Sequence, residues 1–278
     1  MDTFLAVRIV AKPIVLLCSL VISVSSLVVY VRLHRKRLLS TLSLYICSCI
    51  HHNILYTVHY VCYFIAIHIG PVPYFAMGPH WQEILQKIPP ILVFVASTAL
   101  GLDRLLAIAV PLKHLKHNLP KTLCWAVLLL SATLNTTIIL SKVFLPQKVT
   151  NKLIDFVNTV TDIGLTVEIV LHLVFCILFY RFSRTQQEAK KRADRINQIT
   201  VFQAISQAIL WWIPLFAMDI NTWFFDDDYR RIAVFDKFYV FSYDVNIIIV
   251  CSFIMYRLRP AKNRTTSRVL TVASSRTW

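Results

Sequence analysis

Two pairs of residues have the types and spacing to do chemistry. Asp103 and Arg104 are adjacent where a long apolar run ends, in Gly101-Leu102-Asp103-Arg104-Leu105-Leu106, so an acid and a base can hold each other at an apolar boundary. Glu168 and His172 are four residues apart, which puts both on one face of a helix, close enough to pair. Asp244 and Asn246, and the doublet His51-His52, are further polar groups inside apolar stretches and could meet that pair. A charge at the centre of a membrane helix costs at least about 2.5–3.5 kcal/mol on insertion scales, so all of these groups should face a bundle interior. There they could form a polar ligand-binding or proton-sensing core, or the hydrogen bonds that join helices. Leu210-Trp211-Trp212-Ile213-Pro214 adds a mechanical element, because proline removes a backbone hydrogen bond and kinks a helix beneath a large indole.

Residues so placed need long apolar elements to carry them, and the composition supplies these. The chain has 278 residues, is 57% hydrophobic and only 15% charged, and has a mean hydropathy of +0.62. Soluble domains carry about 25% charged residues, so this is more apolar side chain than one water-soluble core can hide. A span needs about 20 mainly apolar residues, and seven segments qualify: 11–31, 41–65, 85–110, 122–145, 155–180, 199–220 and 234–256. The expected fold is an all-α membrane protein, a seven-transmembrane-helix bundle over residues 1–256, followed by a basic Ser/Thr-rich tail at 257–278. The first segment outlasts a secretory signal core and reads as a retained helix.

Charge sets the expected orientation. The formal net charge is +15, but apolar stretches interrupt the basic clusters, so no stripe of the kind that tracks nucleic acid can be drawn. The segments after the first, third, fifth and seventh spans hold 19 Lys and Arg, against 6 on the opposite side. Cytoplasmic loops are enriched in these residues, so the N-terminus is expected outside and the C-terminus inside. The basic stretch from Arg181 to Arg195 can meet anionic membrane lipids as well as a protein partner. Seven Cys, nearly all within apolar stretches, show no metal-ligand spacing; neither a disulfide framework, a metal nor a cofactor is expected.

The Asp103-Arg104 pair, with Pro111-Leu112 following an apolar turn, resembles the Asp-Arg-Tyr motif and Pro-Leu exit of rhodopsin-like G-protein-coupled receptors, with Leu105 in the tyrosine position. Trp211-Trp212-Ile213-Pro214 is similar to the Cys-Trp-x-Pro hinge of that family, with Trp211 in the cysteine position. The resemblance implies that Asp103, Arg104, Pro111 and Leu112 form a latch for a heterotrimeric G protein, and that Trp212 and Pro214 form the activation hinge. It also places the ligand among Gln86, Glu168, His172 and Asp244. Gln86 stands 18 residues before Arg104, where amine-binding members carry Asp, which disfavours a protonated amine gripped in the family's manner.

Other features depart from the family. The cysteine clamp at the top of the third helix is absent, Pro79 occupying that position, and the outer loop at Pro146 to Lys152 has no Cys. The seventh helix lacks Asn-Pro-x-x-Tyr, and the second lacks the aspartate that supports a sodium site. The short, glycine-poor chain looks most like the divergent serpentine chemoreceptors of nematodes, class bc in particular. That likeness implies a non-enzymatic, multi-pass plasma-membrane receptor, sensory cilia included, for an environmental small molecule. The rival reading is a small transporter or channel with Glu168, His172, His51 and Asp244 along its path, although neither an inverted repeat nor paired broken helices accompany them.

Overall fold

The computed structural model describes residues 3–33, 40–68, 79–111, 114, 118–185, 190–214, 216–217 and 229–258. Among these the chain is helical, in seven long elements: α1 (Thr3–Leu33), α2 (Thr41–His68), α3 (Pro79–Ala109), α4 (Leu119–Phe144), α5 (Gln147–Thr185), α6 (Lys190–Gln207, continued by a π turn at Ala208–Trp212) and α7 (Tyr229–Leu258). Among the described residues five spans, in α1, α3, α4, α5 and α7, are long and apolar enough to cross a membrane. The remaining two helices are more polar: α2 carries His51, His52, Asn53 and His59, and α6 opens on Lys190-Lys191-Arg192. Over its described residues the chain is therefore all-helical and of membrane character.

Its side chains are sorted as a lipid-facing bundle requires. In α1 the buried stripe is Leu16, Ser19, Ser23, Ser26 and Tyr30, at intervals of three and four, while Ile14, Leu17, Val21, Val24 and Val28 are exposed. A soluble helix shows the reverse, with serines outward. Small polar residues inside let helix backbones approach closely. In α7, Ile247, Val250, Cys251, Ile254 and Leu258 follow the same inward spacing. The α1 helix packs on α2 and α7, and α7 on α6, while α3 touches α2, α4, α5 and α6 and so occupies the middle of the bundle.

Two connections differ from the sequence expectation. The stretch 146–154, expected as an outer loop, is helical from Gln147, leaving only Leu145 and Pro146 between α4 and α5. Thr150 explains the tight join: its hydroxyl reaches back 2.8 Å to the carbonyl of Ser141, satisfying an end group of α4. With 39 residues, α5 is about 58 Å long and outreaches a hydrocarbon core of about 30 Å. Likewise the basic stretch from Arg181 to Arg195, expected as a loop, is helical up to Thr185 and again from Lys190. All seven cysteines are free thiols; Cys49, Cys124 and Cys251 are buried, but Cys18 and Cys47 are exposed rather than packed between helices.

Candidate functional site

Three polar clusters lie inside the bundle, and each begins with a helix register. At the end of α3, Asp103 falls on the same inward face as Ala96 and Leu100, and it is completely buried. A buried carboxylate needs donors, and three converge on it. The hydroxyl of Thr41, the first residue of α2, donates to Oδ2 over 2.6 Å; His114 Nε2 lies 2.7 Å from Oδ1; and the Arg104 guanidinium bonds Oδ2. Pro111 contributes through the backbone. It follows Val110, whose carbonyl accepts the His114 N–H at 3.0 Å, and this bond brings the imidazole back onto Asp103. Arg104 remains 16% exposed, so its far side faces the bundle rim. Leu112, expected as part of the latch, lies outside the described residues.

The second cluster sits midway along α3, α5 and α6. Glu168 and His172 are both fully buried, and the imidazole Nε2 stands 3.7 Å from the carboxylate, beyond hydrogen-bonding reach. Glu168 Oε1 instead accepts from the Ser97 hydroxyl and from the Gln207 amide at 2.9 Å, while Gln203 donates to Ser97 Oγ at 2.8 Å. Glu168 Oε2, both nitrogens of His172, Gln203 Oε1 and Trp212 Nε1 have no hydrogen-bond partner, although all are buried. The site is tightly assembled: a Cβ at Gly101 would come within 3.1 Å of the His172 ring. Ser97, Gln203 and Gln207 were not singled out from the sequence; a Ser and two Gln at helical spacing in apolar surroundings were the available signal.

The third cluster joins α1, α2, α6 and α7. His52 Nε2 lies 3.3 Å from Asp244 Oδ1, both side chains being buried, and the imidazole packs 4.6 Å from the Tyr56 ring and 4.7 Å from that of Tyr243. Ser206 donates to Asn246 at 2.6 Å, and Ser23 joins Asn53 to Cys251. Asp244 and His52 therefore meet each other, not Glu168 and His172; the sequence left open whether all four converge, and the structure holds them in two separate clusters, each touched by α6. His51, one position along, is only partly buried.

The π turn of α6 lies between the second and third clusters. Pro214 has no N–H for the carbonyl of Leu210, and its ring crowds that carbonyl, so the preceding turn widens and Ile213 N–H bonds Ala208 O five residues back. Neighbouring side chains in an α-helix diverge by about 100°, and the widened turn buries both adjacent indoles. Trp211 reaches Tyr243 with centroids 5.0 Å apart, and Trp212 faces His172 at 6.0 Å. Trp212 thus stands beside the Glu168 cluster, while Trp211 enters the His52 cluster. The backbone of Gln86 is in the first half of α3, a position away from these groups in sequence, and its side chain is outside the described residues.

Among the described residues no three His, Cys, Asp or Glu side chains gather as a metal site. Nor does any family model or curated protein match the chain.

Proposed function

We propose that the chain is a seven-transmembrane chemosensory receptor, N-terminus outside and C-terminus inside, which binds an environmental small molecule and signals through a heterotrimeric G protein. In this reading it is similar to the divergent nematode serpentine chemoreceptors and works in the plasma membrane. The observation that carries the proposal is the Asp103 cluster. One buried carboxylate ties Arg104 to the first residue of α2 and to His114 after α3, which is the form a resting-state latch takes at a helix end. The π turn before Pro214 supports a hinge above it, since such turns let a helix swing without breaking its remaining bonds.

Ligand contacts near Glu168, His172 and Trp212 would favour a state in which α6 has moved and Arg104 is uncovered. A ligand can shift the balance only by its difference in affinity for the two states. The test is co-expression with a promiscuous G protein, comparing wild type with Arg104→Ala and Trp212→Ala for evoked second messenger at matched surface level. Loss of response in both variants supports the receptor; equal responses in all three refute it.

A transporter or channel is the second reading, favoured by the unpartnered Glu168 Oε2 and His172 nitrogens inside the bundle. Uptake or current that persists without any G protein and falls in Glu168→Gln would favour it.

A further inference from the structure

We propose that Ser97, Glu168, Gln203 and Gln207 bind one dehydrated monovalent cation of alkali-metal type, buried between α3, α5 and α6. This holds for a receptor or a transporter alike.

Glu168 is fully buried, and among the described residues no Lys or Arg forms an ion pair with it; the nearest base is His172, at 3.7 Å. Two donors serve Oε1, whereas Oε2 has none. A bare carboxylate oxygen inside an apolar bundle is among the costliest arrangements a protein can hold. A positive guest removes that cost.

The donor set selects the kind of guest. The Glu168 carboxylate is accompanied by Ser97 Oγ, by Gln207 Oε1, which lies 3.2 Å from that hydroxyl, and by the unpartnered Gln203 Oε1. These are hard oxygen donors from three helices, suited to alkali or alkaline-earth ions and unlike the thiolate and imidazole sets of zinc or copper. One carboxylate balances a single positive charge. A divalent ion would leave the interior with a net positive charge. The Trp212 N–H and one of the two His172 nitrogens, all buried without a hydrogen-bond partner, can hold one water beside the ion.

The experiment uses the full chain purified in detergent, with melting followed as Na+ or K+ replaces N-methylglucamine at constant ionic strength, up to about 150 mM. The expected result is a saturable rise in Tm of several degrees with Na+ or K+ and none with N-methylglucamine. Glu168→Gln, which keeps the volume and the bonds to Ser97 and Gln207, should abolish the rise. Ser97→Ala should move its midpoint to at least about tenfold higher concentration, the size of one lost ligand. Identical melting in all three salts, or a full rise retained in Glu168→Gln, overturns the proposal. Should that variant not fold, radioactive Na+ binding to the wild type decides: one ion per chain, displaced by K+, supports the site, and no bound ion refutes it.

Discussion

Asp103→Asn keeps the shape of a side chain and removes its charge, which makes it the sharpest probe of the α3 cluster. The native carboxylate is completely buried and receives Thr41, His114 and Arg104. An amide offers one acceptor oxygen and turns an NH2 group toward one of these donors, so one or two charge-assisted bonds are lost, each worth about 1.5–3 kcal/mol. Removing one partner of a buried pair costs about 3–5 kcal/mol when the other stays buried. Arg104 is 16% exposed and can turn toward water, which brings the expected loss to about 3 kcal/mol. If the cluster is a latch, part of that loss falls on the resting arrangement alone, and about 1.4 kcal/mol of it shifts the two-state population tenfold. Basal second messenger, normalised to surface protein, should therefore rise several-fold while Tm falls. Thr41→Val, which deletes one neutral donor of the same carboxylate, should do both to about a third of the extent. A fall in Tm with basal signal at the wild-type level would refute the latch and leave a purely structural knot. No change in either would mean that the buried contacts carry no energy.

Gly164→Ala should destabilise the chain by about 1 kcal/mol, since the added methyl would meet the Phe94 ring at 2.8 Å and overpacking of about 1–3 kcal/mol outweighs the gain of about 1 kcal/mol in helix propensity; Phe94→Leu in the same background should restore Tm. Pro214→Ala returns an N–H to α6, so the π turn should relax to α-helix and expel one of the two indoles; tryptophan emission should shift to reflect lipid exposure, and any evoked response should fall. An emission spectrum identical to wild type would contradict the assigned cause of the π turn. For orientation, a glycan acceptor fused before Met1 should be glycosylated in cells, while Asn263-Arg264-Thr265 should not; glycan at Asn263 would invert the topology.

Helix number and approximate position were legible because apolar runs bounded by charge are long-range signals that need no knowledge of neighbours. Ends were less so: residues 147–154 and 181–185 are polar and look like loops, yet they extend α5 beyond any hydrocarbon core, since a helix in water needs only its own backbone bonds. The burial of Glu168, His172 and Asp244 follows from the cost of charge in an apolar setting, and the closeness of Glu168 to His172 from their spacing. Their partners do not. Thr41 is 62 residues from Asp103, and Asp244 is 192 from His52. A lone Thr or Ser has no periodicity to betray it, so which carboxylate it serves is fixed only by how the helices pack. His114 could have been found, since it closes the stretch that begins at Gly101, but its role depends on the bond from its N–H to the Val110 carbonyl.

Packing also joins what the sequence left as separate features. Trp211 and Trp212 are consecutive, yet one touches Tyr243 beside the His52–Asp244 pair and the other faces His172 beside Glu168. Ser206 and Gln207, also consecutive, bond Asn246 of the first group and Glu168 of the second. One stretch of α6 therefore contributes four neighbouring residues alternately to two buried polar clusters, and the π turn interrupts its regular helix just before Pro214. Rotating this stretch to improve one cluster must withdraw its residues from the other, because adjacent side chains move together on a rigid helix. Two discrete arrangements with a barrier between them follow more naturally from such a geometry than a continuous range. If the site binds as proposed, a guest that stabilises the Glu168 side, whether an ion or a larger ligand, would thereby act on the His52–Asp244 side without touching it.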